Sequence, residues 1–363
     1  MDAPSACFCT VRSFTLRLLV LCLAASIFPM AATAAEINVD CDIGESLQAA
    51  IDSLDPVGPN TITVSGTCQE FVGIGDWGNV AYQGLMIRGP AGGGTATITP
   101  PPAYQGRGWI ITIAGSHAIW LDRLVLRGGE IGLVVGDQSE VDTSSVTIED
   151  NESIGAFVEG TSVLFLVGAT IRNNGRFGVY TPSTQTATVH FYGDSTTPTV
   201  VEGHSVCGIC LRFASTATLG GPVQVRNNGS AGDDQSAGVY LARNSALHLV
   251  EFQPDGRPEI SGNTGPGILA EVGSTVSLGG AAIANNTGAG IRVEGLSVAQ
   301  IELPSSFSAN GTFALSCDVS SWAVGNLTGV VPLDCKNVET KPGKIKTGAA
   351  ASSIEVRKPL KRH

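Results

Sequence analysis

Residues 148–155 read Ile148-Glu149-Asp150-Asn151-Glu152-Ser153-Ile154-Gly155, and the frame of this octet returns along the chain: an apolar residue, Asn three positions later and, in most copies, Gly four after that. The copies are Ile148/Asn151/Gly155, Ile171/Asn174/Gly178, Val201/His204/Gly208, Val225/Asn228/Gly238, Ile260/Asn263/Gly267, Ile283/Asn286/Gly290 and Phe307/Asn310/Ala314. Successive Asn or His positions lie 23, 30, 24, 35, 23 and 24 residues apart. Self-similarity at that period marks a stacked solenoid rather than one closed core.

The repeat extends past the Gly. Apolar pairs such as Ile209/Leu211, Val239/Leu241 and Ile291/Val293 follow it, and seven residues after it come Ser162, Gln185, Ser215, Ser245, Ser274, Ser297 and Ser321. Four further on lie Leu166, Val189, Leu219, Leu249, Leu278 and Ile301. Each unit therefore holds three period-2 runs punctuated by Gly, Asn and Ser turns, and nothing between residues 100 and 335 has helical periodicity. The expected class is all-β, with three short strands per coil. Stacked at the strand spacing of ~4.8 Å, equivalent residues form ladders, and a column of Asn can pass hydrogen bonds from amide to amide. The Gly positions are expected to serve turns with unusual backbone angles.

This pattern resembles the right-handed parallel β-helix proteins of the pectate-lyase-like superfamily over residues 40 to 335. Gly44-Glu-Ser-Leu-Gln-Ala-Ala-Ile-Asp-Ser-Leu54 resembles the amphipathic helix that caps the first coil, with Leu47, Ala50, Ile51 and Leu54 on one face. Ile62-Thr-Val-Ser-Gly-Thr-Cys-Gln-Glu70 and Leu85-Met-Ile-Arg-Gly-Pro90 resemble early coils. The resemblance implies fold and not activity, since the superfamily holds lyases, hydrolases, esterases, epimerases, adhesins and non-catalytic members. Polygalacturonase motifs do not transfer: Asn263-Thr-Gly265 and Asn286-Thr-Gly288 carry Gly where the motif needs Asp, and Gly203-His204 precedes Asp233-Asp234 in the wrong order. Trp120-Leu-Asp-Arg123 has Arg where pectate lyases place His.

The chain has 363 residues, 46 of them Gly, and 6% aromatics. Arg12 and Arg17, an apolar run from Leu18 to Phe28 and Ala32-Thr-Ala34 read as a secretory signal over residues 1–35, too short to span a bilayer. The expected protein is exported, periplasmic or extracellular, with no transmembrane segment, the β-helix running over 36–335. Six cysteines remain after cleavage, an even number suited to disulfides. Of fifteen pairings the most economical join neighbours: Cys41 with Cys68 and Cys317 with Cys335. Cys207 and Cys210 are open between a local disulfide, simple packing and redox or metal chemistry, because residues three apart on a strand point to opposite faces.

Residues 36–335 carry 29 acidic side chains against 11 Arg and no Lys, a net of −18, while 336–363 carry a net of +6. So acidic a body excludes nucleic acid as a partner. The basic tail, 336–363, reads as a disordered, solvated extension, or else as a segment that folds back on the acidic coil or touches an anionic envelope surface. Glu149, Arg172, Glu202 and Arg226 follow the apolar member in successive copies, an expected ion-pair ladder.

Two features bear on function. Two residues after the Gly, facing outward, come Phe157, Tyr180 and Tyr240, a row that is either a platform for sugar rings or covered by another segment. Three coils are lengthened, between Val189 and Val201, Asn228 and Gly238, and Leu249 and Ile260. The middle insertion carries Asp233 and Asp234 one coil from His204, which takes a ladder position. His204, Asp233 and Asp234 are candidates for acid–base catalysis or metal binding, calcium included, and otherwise a ladder member beside a solvated loop. Two readings follow: a non-catalytic scaffold binding polysaccharide or cell-envelope glycan, and a polysaccharide lyase or glycoside hydrolase with an atypical site near His204. No cofactor is expected beyond possible calcium.

Overall fold

A computed structural model describes residues 34–340, except 76–79, 93, 183–184 and 253–255. The expected signal segment, apart from its last two residues, and the tail beyond residue 340 lie outside the described residues. The chain winds as an all-β parallel solenoid of about 11 turns, its strands stacking into three sheets of 13, 11 and 10 strands among the described residues. The 13-stranded sheet, called the long sheet below, runs from Glu36–Asp40 to Val338–Glu339. That last strand pairs with Ala323–Val324, so the coil continues beyond the boundary expected at residue 335.

The Asn column forms as a continuous ladder. Asn151 Nδ2 donates to Asn174 Oδ1 at 2.8 Å, Asn228 Nδ2 to Asn263 Oδ1 at 3.1 Å, Asn263 Nδ2 to Asn286 Oδ1 at 2.9 Å and Asn286 Nδ2 to Asn310 Oδ1 at 2.9 Å. Each rung also ties down turn backbone. Asn263 Oδ1 accepts from the Asn228 N–H at 3.0 Å, and Asn263 Nδ2 donates to the Val225 carbonyl at 3.1 Å. Buried amides are affordable here because their donors and acceptors find partners.

The residue before each rung explains the sequence around it. Asp150, Asn173, Gly203, Asn227, Gly262, Asn285 and Ala309 all have φ between 50° and 77°. Asp, Asn and Gly are the residues that adopt this left-handed region most readily, and six of the seven positions hold one.

The Gly of the phrase answers a different need from the one expected. Gly155, Gly178, Gly208, Gly238, Gly267 and Gly290 lack positive φ. A Cβ on any of them would lie 2.6–2.9 Å from the ladder side chain of the next coil. Close approach, not backbone angle, therefore requires Gly. Ala314 ends the series where no further ladder Asn stacks among the described residues.

A Ser column lines a second corner: Ser116, Ser139, Ser274 and Ser297 donate their N–H to the Oγ of Ser139, Ser162, Ser297 and Ser321 at 3.1–3.2 Å. Ala187, not Gln185, takes this place in its coil, its N–H donating to Ser215 Oγ. The coil is two residues longer than the repeat implies, and the register pairs Phe191, not Val189, with Leu166 and Leu219.

Local interactions close the N-terminal end. The helix Leu47–Asp52 buries Leu47 and Ile51, with Ser46 as N-cap. Glu70 Oε1 accepts from the Leu47 N–H and Glu70 Oε2 from the Gln48 N–H. The Gln48 side chain both accepts from the Gly73 N–H at 2.6 Å and donates to the Gly73 carbonyl at 3.2 Å, standing in for a neighbouring strand at a sheet edge.

Disulfides join Cys41 to Cys68, Cys317 to Cys335 and Cys207 to Cys210. The last corrects the expectation that Cys207 and Cys210 point apart. Gly208 and Ile209 both face inward, breaking the pleat, so both cysteines lie in the same outer cluster.

Two outcomes test the ladder. Asn263→Ala leaves the Asn228 amide and the Val225 carbonyl short of partners and is expected to lower unfolding free energy by roughly 2–4 kcal/mol. Ala309→Asn, which keeps the left-handed turn with a residue that tolerates it, is expected to raise it by roughly 0.5–1 kcal/mol. Urea unfolding of both variants measures the two signs.

Candidate functional site

His204 sits in the ladder, fully buried. Asn174 Nδ2 donates to its Nε2 at 3.3 Å, and its Nδ1 donates to Asn228 Oδ1 at 2.8 Å. The direction of the column thus selects the neutral Nδ1–H tautomer, and burial pulls the imidazole pKa down to about 4. Both ring nitrogens are engaged. Asp233 and Asp234 lie exposed on the inserted loop, where Asp233 Oδ1 accepts from the Gln235 N–H and the Ser236 hydroxyl. The three candidates are not brought into one cluster. Among the described residues the one group of three potential metal ligands is Cys41, Cys68 and Glu70, a disulfide beside the helix cap.

The row Phe157, Tyr180, Tyr240 does stack in register, through Cys210, on the outside of the 11-stranded sheet. It belongs to a second apolar cluster with Ile131, Ile154, Phe177 and Leu269. Tyr240 is 5% exposed, its hydroxyl donates to Glu271 Oε2 at 3.0 Å, and the Arg212 guanidinium lies 5.6 Å from its ring centre. Arg212 also reaches Gln235 Oε1 of the inserted loop at 2.6 Å. Tyr240 therefore offers no open ring face, while Phe157 and Tyr180 remain half-buried.

A different face carries unclaimed rings. On the outside of the long sheet, Trp120, Asp142, Phe165, His190, Thr218, His248, Ser277 and Gln300 form one column. Phe165 stacks on His190 at 4.7 Å, His190 on Tyr192 at 5.9 Å, and Tyr192 on Phe252 at 6.0 Å. All four are half-buried. Gly220 makes room for this ribbon: its Cβ would lie 2.6 Å from Phe252 and 2.9 Å from Tyr192. Two insertions rim the same corner. In one, Asp194 accepts from Thr196 and Thr197, which hold its carboxyl down at about 2. In the other, Phe252 and Gly256 exchange backbone hydrogen bonds.

Burial tunes the titratable groups here. Asp142 is pushed up to about 6, first by burial and then by Glu140. Burial lowers His190 and His248. The ribbon is a neutral, ring-rich surface beside an acidic one. The alternation Leu164-Phe165-Leu166 and Val189-His190-Phe191-Tyr192 contained this signal. The two-residue slip at Gln185 hid the stacking of His190 on Phe165.

No protein-family model and no curated protein matches the sequence. Among solved structures, the ORF18 chain of Geobacillus virus E2 is similar with a TM-score of 0.53 at 11% identity, over 85% of this chain and 65% of that one. The A-modules of the mannuronan C-5 epimerases AlgE6 and AlgE4 of Azotobacter vinelandii give TM-scores of 0.42 and 0.38. Their identities are 14% and 12%, and they cover 82% and 85% of this chain and 94% and 100% of theirs. The chain is a parallel β-helix protein, as its repeat implied. At such identities the likeness shows the fold alone.

His204→Asn tests the ladder role. The folded-state pKa near 4 lies below the ordinary value of 6.5, so the unfolded chain protonates first. The His204 contribution is complete above pH ~6.5, declines as pH falls and is gone below about 4, a loss on the order of 3 kcal/mol. His204→Asn is expected to fold and to unfold at a higher temperature than the parent at pH 4.5, with the difference shrinking at pH 7.5. Thermal unfolding followed by circular dichroism at both pH values reads it.

Proposed function

We propose that this chain is a non-catalytic scaffold that binds polysaccharide along the outer face of the long sheet. The observation that carries the reading is the ribbon Phe165, His190, Tyr192 and Phe252, with ring centres 4.7–6.0 Å apart. Sugar rings present C–H faces that pack on aromatic planes, and hydroxyls around their edges that pair with uncharged polar groups. Thr188, Thr216, Thr218, Ser277 and Gln300 supply such groups on the same sheet. Coils repeat at ~4.8 Å, so equivalent groups recur along an extended polymer.

Export to the periplasm or outside the cell accompanies this reading. Three disulfides suit an oxidising compartment, and no described helix is long and apolar enough to cross a membrane. A polysaccharide or cell-envelope glycan is the partner such a location offers. The catalytic alternative at His204, Asp233 and Asp234 requires a free imidazole nitrogen, and neither is free in the folded ladder.

Affinity electrophoresis through gels containing plant or bacterial polysaccharides tests the scaffold reading. Retention without turnover is expected, weakened about tenfold, or ~1.4 kcal/mol, by Phe165→Ala or Tyr192→Ala. His204→Asn is expected to leave retention unchanged. New reducing ends or unsaturated products, lost in Asp233→Ala or Asp234→Ala, would replace this reading with the enzymatic one.

A further inference from the structure

The distribution of cations narrows the ligand. From Ile119–Asp122 to Trp322–Gly325, the strands of the long sheet contain no Arg or Lys, yet they contain Asp122, Glu140, Asp142 and Glu302. Most cations of the described coils are placed elsewhere: Arg88 lies on the long sheet but toward its N-terminal end, paired with Glu36, and Arg257, in the insertion that carries Phe252, turns to Ser306 Oγ at 3.0 Å. Arg172 and Arg226 pair with Glu149 and Glu202 on the 10-stranded sheet, and Arg292 pairs with Glu294. Arg212 and Arg243, at the corner preceding the long sheet, lie over the rings of Tyr180, Tyr240 and Phe213. At the opposite corner Arg123 pairs with Asp122.

Resting on the proposed glycan reading, we infer that the face takes neutral hexose polymers and rejects polyuronates. A uronate chain carries a carboxylate on every sugar, and its recognition calls for Arg, Lys or a bridging divalent cation. The central strands of the long sheet offer none of the first two, and the nearest guanidinium at the rim, that of Arg257, is engaged by Ser306. Among the described residues it also groups no three ligands that could hold a cation. Glu140 and Asp142 would instead meet the polymer with like charge, within a body of net charge −18. The rise of Asp142 to about 6 is what a half-buried carboxyl shows when its charged neighbour is another carboxylate. Thr, Ser and Gln hydroxyls and amides, together with neutral imidazoles at His190 and His248, pair with hydroxyls without needing a charge on the ligand.

The test is calorimetric titration of the full chain at pH 7.5 and low salt with cellohexaose, mannohexaose, hexagalacturonate and hexamannuronate. At least one neutral hexaose is expected to bind at least tenfold more tightly than either uronate, and to lose about tenfold in Phe165→Ala. Glu140→Gln/Asp142→Asn is expected to bring uronate affinity up several-fold while the neutral ligand is unaffected. Uronate binding equal to or tighter than neutral binding, lost in Phe165→Ala, overturns the selectivity and keeps the glycan reading. Binding of none of the four, with the fold intact by circular dichroism, overturns both.

Discussion

A column of buried amides is stable only when every member is partnered, and this requirement organises the solenoid. Each rung must sit one coil from the next, in one direction, with its acceptor toward one end and its donor toward the other. The column therefore fixes coil height, corner geometry and the tautomer of the one imidazole it contains. Its side chains also press on the neighbouring strand so closely that only Gly fits there. Hydrophobic burial fills the interior, but apolar contact alone has no direction and would tolerate slippage between coils. Amide-to-amide bonding sets the register that brings Phe165, His190 and Tyr192 into one ribbon.

The fold was readable because ladder chemistry repeats in sequence. Asn at nearly every rung, Gly four positions on in most coils and Asp, Asn or Gly before six of the seven rungs reflect constraints applied once per coil. The ring-bearing face of the long sheet was harder to see because no per-coil constraint makes its residues repeat. Its rings come from two strands and an insertion, and Phe252 joins Tyr192 across the coil of Gly220. A two-residue lengthening between residues 181 and 187 shifts His190 out of the repeat's register with Phe165, although the Ser215 hydrogen bond shows where Ala187 belongs. His204 stands out for a related reason. Departure from a repeat draws notice, yet imidazole and carboxamide both offer a donor and an acceptor, and one substitutes for the other in a directional column. Cys207 and Cys210 defied a strict alternation rule because the ladder Gly between them breaks the pleat.

The three faces divide the chemistry of the surface. The 10-stranded sheet carries crossed charges that pair between coils, as Glu149 with Arg172 and Glu202 with Arg226. The 11-stranded sheet grows an outer apolar layer locked by the Cys207–Cys210 disulfide and sealed by Arg212 and Gln235. The long sheet keeps half-buried rings and hydroxyls with no cation among its central strands. Interior packing is the same behind all three, so outward-facing residues alone decide what each face meets.

Ala314 has a consequence for how such a chain can lengthen. Any coil between Asn151 and Asn310 that begins and ends on Asn presents the same amide at both ends, so tandem duplication of one would splice into the column without altering a neighbour. Beyond Ala314 the splice fails, because its methyl stands where the amide of an added coil would have to lie. The molecule thus carries, in one methyl group, a terminator for its own growth by duplication.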